Sequence, residues 1–156
     1  MEKHQSGFTL LELLIAGMIM AVLTAIAVPN YQSYVLRSNR ALAQGMLSDL
    51  SGKQEAQALN QGKYATNLSA LLGSNNTNAT HFFLNRQGQI SKTLNGSGSS
   101  IYKIELLDPS AASFTLHAAA VGTQEKDKDC RTFALTSVGQ KSATAFNGAT
   151  SARCWR

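Results

Sequence analysis

The chain contains no C-x-x-C pair, no glycine-rich phosphate loop between a strand and a helix, and no carboxylate pair whose helical or strand relationship suggests acid-base work. No nucleophile motif comes with a paired base either, so acid-base, nucleophilic and phosphoryl-transfer chemistry lack their usual carriers. The three histidines, His4, His81 and His117, are scattered along the sequence. Neither a catalytic residue nor a metal or cofactor site is therefore assigned, and the chain reads as a non-enzyme.

Acids are scarce and unevenly spread. None occurs between Glu55 and Glu105, where Lys63, Arg86, Lys92 and Lys103 lie, and after Asp129 the only charged side chains are Arg131, Lys141, Arg153 and Arg156. The formal net charge is +5. Such a surface can meet DNA phosphates or anionic lipid through Lys92, Lys103, Lys141 and Arg153, although a merely solvated, soluble face accounts for the same charges.

Against this polar background stands one long apolar run. A short leader, Met1 to Gly7, gives way at Phe8, and seventeen of the twenty-one residues from Phe8 to Val28 are apolar, with Glu12 the only charge among them. As a helix, this run is roughly 31 Å long, the thickness of a bilayer core. A secretory signal peptide carries its small-residue cleavage site after the apolar stretch, whereas here the small residue at the polar-to-apolar junction is Gly7, in front of it. Cutting there keeps the apolar helix in the mature protein. A carboxylate in the middle of a bilayer costs roughly 2.5 to 3.5 kcal/mol, less near the interface, so Glu12 wants a partner.

The junction G-F-T-L-L-E, the uncharged remainder and the closing Pro29 resemble the class III leader of type IV pilins and their relatives. The resemblance implies cleavage by a prepilin peptidase between Gly7 and Phe8 and methylation of the new N-terminus at Phe8. It also implies that Glu12 pairs with the free amine of a neighbouring subunit's first residue in the filament core. Because breaking a buried pair leaves an orphan charge, Glu12 would then check register more than add net stability. Residues 1–7 are thus expected to be a cleaved leader, 8–29 a transmembrane and filament-core helix, and 30–156 a single globular head.

Beyond Pro29, expected to bend or locally break the helix, a stripe of Tyr31, Val35, Leu42, Met46 and Leu50 predicts an amphipathic helix over 30–61, stopped at Gly62. Residues 62–100, rich in Gly, Ser, Asn and Thr, read as a long loop with one turn of helix and a short strand. Asn67, Asn75, Asn78 and Asn95 each begin an N-x-Ser/Thr triplet, read as chance matches in an Asn-rich loop. Three strands follow within 101–156, one face of each marked by Tyr102, Ile104 and Leu106, by Phe114, Leu116, Ala118 and Ala120, and by Phe133 and Leu135. Asp108-Pro109-Ser110 supplies the first turn, and the charged run Gln124 to Asp129 reads as a solvated hairpin tip. The expected fold is α+β: the type IV pilin fold, a long helix packed on an antiparallel sheet of three to four strands.

In an exported chain the two cysteines point to one disulfide, Cys130 to Cys154, worth about 3.5 kcal/mol in the chain-entropy model. The segment it closes resembles the disulfide-bounded C-terminal region of type IV pilins, and the ending Cys154-Trp155-Arg156 is similar to that of PilE-type minor pilins. Trp155 is read as a packing plug. The resemblance implies a minor pilin held in the bacterial inner membrane with its head in the periplasm, then incorporated into or priming an extracellular filament that serves adhesion, twitching motility or DNA uptake. Its partners would be other pilin subunits, the prepilin peptidase and methyltransferase, the inner-membrane assembly platform, membrane lipid before assembly and, for a DNA-uptake pilin, DNA. A type II secretion pseudopilin shares the N-terminal pattern, but the carboxylates that cluster near the end of major pseudopilins have no counterpart after Asp129.

Overall fold

The computed structural model describes residues 8–73, 80–94 and 99–155. Gly7, Asn75, Asn78 and Asn95 lie outside them. The chain divides into two compact units with the boundary between Val35 and Leu36.

The first unit is the beginning of helix α1, Leu10–Gln61. Thr9 caps it: its Oγ1 accepts the Glu12 amide at 3.2 Å, covering one of the amides that a helix start leaves without a partner. The Thr24 hydroxyl donates to the Met20 carbonyl at 2.7 Å, so this polar group needs no solvent inside an apolar stretch. The most apolar window has a mean hydropathy of 2.4 and none of it is buried within the molecule. Helix α1 runs without interruption through Pro29, so the local break expected there is absent.

In the second unit the remainder of α1 shares one core with a sheet. The strands are β1 (His81–Asn85), β2 (Ile90–Ser91), β3 (Ser100–Leu107), β4 (Thr115–Ala120), β5 (Thr132–Thr136) and β6 (Lys141–Thr144), all antiparallel in the order β2-β1-β3-β4-β5-β6. Alternation decides which side chains turn inward: Phe82 and Leu84, Tyr102 and Ile104, Leu116, Ala118 and Ala120, Phe133 and Leu135, and Ala143 meet Ala43, Leu47 and Leu50 of the helix. Gly62 ends α1 in the left-handed region at φ 71°, with its amide on the Ala58 carbonyl at 2.8 Å.

Three expectations about the head need correction. The sheet has six strands instead of three or four: β1 is the short strand expected in the loop and pairs with β3 along its length, while β2 beside it and β6 beside β5 are the two not expected. That loop also holds helix α2 (Leu68–Leu71), whose N-cap Asn67 accepts the Ala70 amide at 2.8 Å, giving the first of the Asn triplets a structural role. The buried face of α1 is centred on Asn39, Ala43, Leu47, Leu50 and Gln54, while Tyr31 is exposed and Leu42 and Met46 are only partly covered. A search for large apolar residues misplaces that face because two of its positions are amides and one is alanine. Finally, Gln124 to Asp129 is not a solvated tip: a 3-10 turn over Gly122–Lys126 carries it inward, and both Gln124 and Asp127 are buried.

Candidate functional site

At the start of α1, Phe8 and Glu12 are both exposed, and Glu12 stands in the first helical turn. Thr9-Leu10-Leu11-Glu12 has the spacing of a capping box, and an acid in the first turn complements the helix dipole whatever else it pairs with. Glu12 therefore has a local reason for its place as well as the intermolecular one that the resemblance implies.

The C-terminal region is fastened to α1 by a buried polar cluster that sequence reasoning missed. Arg40 grips Asp127 with both ends of its guanidinium, Nε to Oδ2 at 2.6 Å and Nη2 to Oδ1 at 2.7 Å. The same carboxylate accepts the backbone amides of Asp129 and Cys130, each at 3.1 Å, and the Gln124 amide group at 3.2 Å. Gln124 in turn accepts from Asn39 at 2.8 Å and donates toward the Tyr102 hydroxyl at 3.1 Å. Burial alone would lower the pKa of Arg40, but the hydrogen bond and charge of Asp127, with help from Asp129, raise it above the ordinary arginine value. Burial, then the charge of Asp127, push the Tyr102 phenol well above the usual tyrosine range, against the smaller pull of Gln124 and Arg40. The spacing of Asn39 and Arg40 on one helix and of Gln124 and Asp127 on one turn was the available signal, hidden by the polar character of all four.

Cys130 and Cys154 are joined in a disulfide, their Cα atoms 5.7 Å apart. Trp155 follows as a plug: its ring meets Phe133 edge-on at 5.7 Å, its Nε1 donates to the Ser142 carbonyl at 2.6 Å, and the Lys141 ammonium lies 5.2 Å from its centroid.

Between this region and α1 runs a groove of about 870 Å³. Arg37, Arg40, Ala41 and Gln44 form one wall, and Asp129, Asn147, Thr150 and Arg153 lie on the other. A second recess, of about 400 Å³, shares Ala41 and Gln44 with it and reaches Lys141 and Trp155. Of the four cations singled out from sequence, Lys141 and Arg153 therefore border adjoining recesses. Lys103 and Lys92 lie elsewhere. Lys103 sits on β3 in an ion pair with Glu105 at 2.7 Å, and Lys92 follows the outermost strand, β2. Arg37, not among the four, joins Arg153 instead.

The sheet also gathers residues that are distant in sequence. Its pairing sets His81, Glu105 and His117 side by side on β1, β3 and β4, so two of the scattered histidines flank one carboxylate. His117 Nδ1 is 3.3 Å from Glu105 Oε1. Burial would raise the Glu105 pKa, but Lys103 and then His117 bring it below the ordinary glutamate value. Among the described residues no group of His, Cys, Asp and Glu is arranged to hold a metal ion.

Comparison with known proteins adds two family matches. Residues 29–134 match the family described as "Type IV minor pilin ComP, DNA uptake sequence receptor", and residues 3–28 match the "Prokaryotic N-terminal methylation motif". Similar proteins include the "Type IV wide pilus major component PilA4" of Thermus thermophilus, 35% identical over 70 residues, or 45% of this chain and 53% of that protein. A "Fimbrial protein" of Pseudomonas aeruginosa is 43% identical over 61 residues, 39% of either chain. The "Type IV major fimbrial protein FimA" of Dichelobacter nodosus is 53% identical over 38 residues, 24% of either chain. The chain thus spans about half the length of the first of these relatives and less of the others.

Proposed function

The chain belongs to the type IV minor pilin family, and from that premise we propose that it is a minor subunit of a type IV pilus, anchored singly in the bacterial inner membrane until assembly. Prepilin peptidase removes residues 1–7, Phe8 is methylated, and the apolar segment 8–29 then exchanges lipid for the same segment of neighbouring subunits, drawn from the membrane by the assembly platform. The observation that carries this reading is an apolar helix with no buried residue in its most apolar window. A bilayer or a bundle of sister helices would cover such a surface. The match of residues 3–28 to the methylation motif supports the processing step.

The description of the matched family favours a DNA-uptake role, and the groove's Arg37 and Arg153, with Lys141 in the adjoining recess, supply cations for phosphates. Lys92 and Lys103 contribute less to this surface, the latter being paired with Glu105. Two experiments test the proposal. Gold labelling of an epitope in the head along sheared filaments is expected to be sparse or confined to tips, and label along the whole fibre contradicts minor status. The mature full-length chain in nonionic detergent micelles is expected to retard DNA at low salt and release it as salt rises, and no retardation at low salt removes the DNA-uptake role.

A further inference from the structure

Phe146 is the aromatic of the C-terminal region that the packing does not use: its side chain is 66% exposed. It stands on a turn held from several directions. Ala145 donates to the Ala149 carbonyl at 2.9 Å, Gly148, at φ 77°, donates to Ala145 at 3.0 Å, and Phe146's own amide donates to the Lys128 carbonyl at 3.0 Å. Asn147 Oδ1 accepts the Ala149 amide at 3.1 Å, and Thr144 and Thr150 pair below the turn. An apolar ring carried on a held turn starts from an ordered backbone, so binding to it costs little backbone ordering entropy.

Its surroundings carry both signs with cations in excess: Arg131, Lys126, Lys128, Arg37 and Arg153 stand against Glu125, 3.5 Å from Arg131, and Asp129 of the groove wall. The Arg131 guanidinium lies 4.9 Å from the ring centroid, covering one face, and Lys126 and Lys128 are exposed close by in sequence. Ala145 and Asn147, the neighbours of Phe146 in the chain, line the groove that holds Arg37 and Arg153, and neither arginine is in an ion pair among the described residues. A fixed aromatic beside guanidinium groups is the combination that binds single-stranded nucleic acid: ring against base, cations along the backbone. With Arg131 over one face, the ring has a single face to offer. It can carry one unstacked base, but it cannot slide between two pairs of an intact duplex.

We propose that the free face of Phe146 is a stacking platform for one unpaired base of a single-stranded stretch of DNA, whose backbone passes along the groove by Arg37 and Arg153. This deepens the DNA-uptake reading given above and rests on it. The test measures anisotropy of short fluorescein-labelled oligonucleotides, single-stranded and duplex, with the mature full-length chain in nonionic detergent micelles. Phe146→Ala, at an exposed position, is expected to weaken single-strand binding about tenfold with an unchanged salt slope. Arg153→Ala is expected to lower that slope by about 0.7, one phosphate's worth for a single strand. Phe146→Trp should keep the affinity, and its emission should be quenched by the strand beyond the background that Trp155 gives in the unaltered chain. Unchanged affinity of Phe146→Ala in a chain that does bind DNA overturns the platform while leaving the DNA role standing. Equal weakening toward duplex overturns the single-strand assignment. Absence of any binding by the unaltered chain overturns the DNA role itself.

Discussion

Removing the Asp127 carboxylate strips an acceptor from the Arg40 guanidinium, from the amides of Asp129 and Cys130, and from Gln124 at once. Because Asp127 is buried, water cannot replace it. Asp127→Ala should therefore cost about 3 kcal/mol, as breaking a buried pair does, while Asp49→Ala, which breaks only the exposed pair with Lys53, should change stability by about 0.5 kcal/mol or less. Urea unfolding followed by tryptophan emission compares the two, and equal effects would contradict the assigned role of Asp127. Glu105 is a second residue with a readable signature. Its folded pKa is lowered by Lys103 and His117 against the effect of burial, so its contribution is present above the ordinary glutamate value and is lost as pH falls through the folded one. Glu105→Gln should flatten the acid limb of a stability-against-pH curve, and an unchanged limb would count against the pairing. For Glu12, the Thr9 cap and the helix dipole supply a local role, so Glu12→Ala should leave membrane insertion intact. Incorporation into filaments should fall, and normal incorporation would reduce Glu12 to its local role.

At the level of elements, strands with large apolar residues were legible and the polar fasteners were not. Tyr102 and Ile104, Leu116 and Ala118, and Phe133 and Leu135 alternate inward as period-two patterning requires. The edge strands β2 and β6 are short and hold few apolar residues, so their place comes from pairing with neighbours, which a local pattern does not contain. Likewise Gln54, on the buried face of α1, imitates a strand edge: its Oε1 accepts the Ala65 amide at 2.7 Å and its Nε2 donates to the Ala65 carbonyl at 3.0 Å. A glutamine in a helix signals none of this until the chain folds back. Gln54→Leu, apolar and close in size, leaves both Ala65 groups without partners and should cost about 1 to 3 kcal/mol, measured by thermal or urea unfolding. The disulfide pair was legible, because two cysteines permit one intramolecular pairing. Reducing it should cost about 3.5 kcal/mol and free a tail that Trp155 otherwise pins against Phe133.

The molecule as a whole combines two units that answer to different solvents. Residues 36–156 contain the core, from Ala43 to Cys154, with its polar groups satisfied internally. Among the described residues before Leu36 none is buried, and Leu10, Leu11, Leu13, Met18, Met20 and Val22 are exposed over most of their surface. This contrast was legible from composition alone, because a run of apolar residues needs no fold to announce its preference for lipid. The cationic groove was not: Arg37 and Arg153 are more than a hundred positions apart and meet only because the disulfide-closed region lies along α1. In the proposed function, processing spares the apolar helix and leaves it available to lipid and then to sister subunits. Mass spectrometry of the protein recovered from sheared filaments tests this directly. A mature chain beginning at methylated Phe8 is the predicted result, and a chain that keeps Met1 to Gly7, or one that has lost the stretch from Phe8 to Val28, would contradict it.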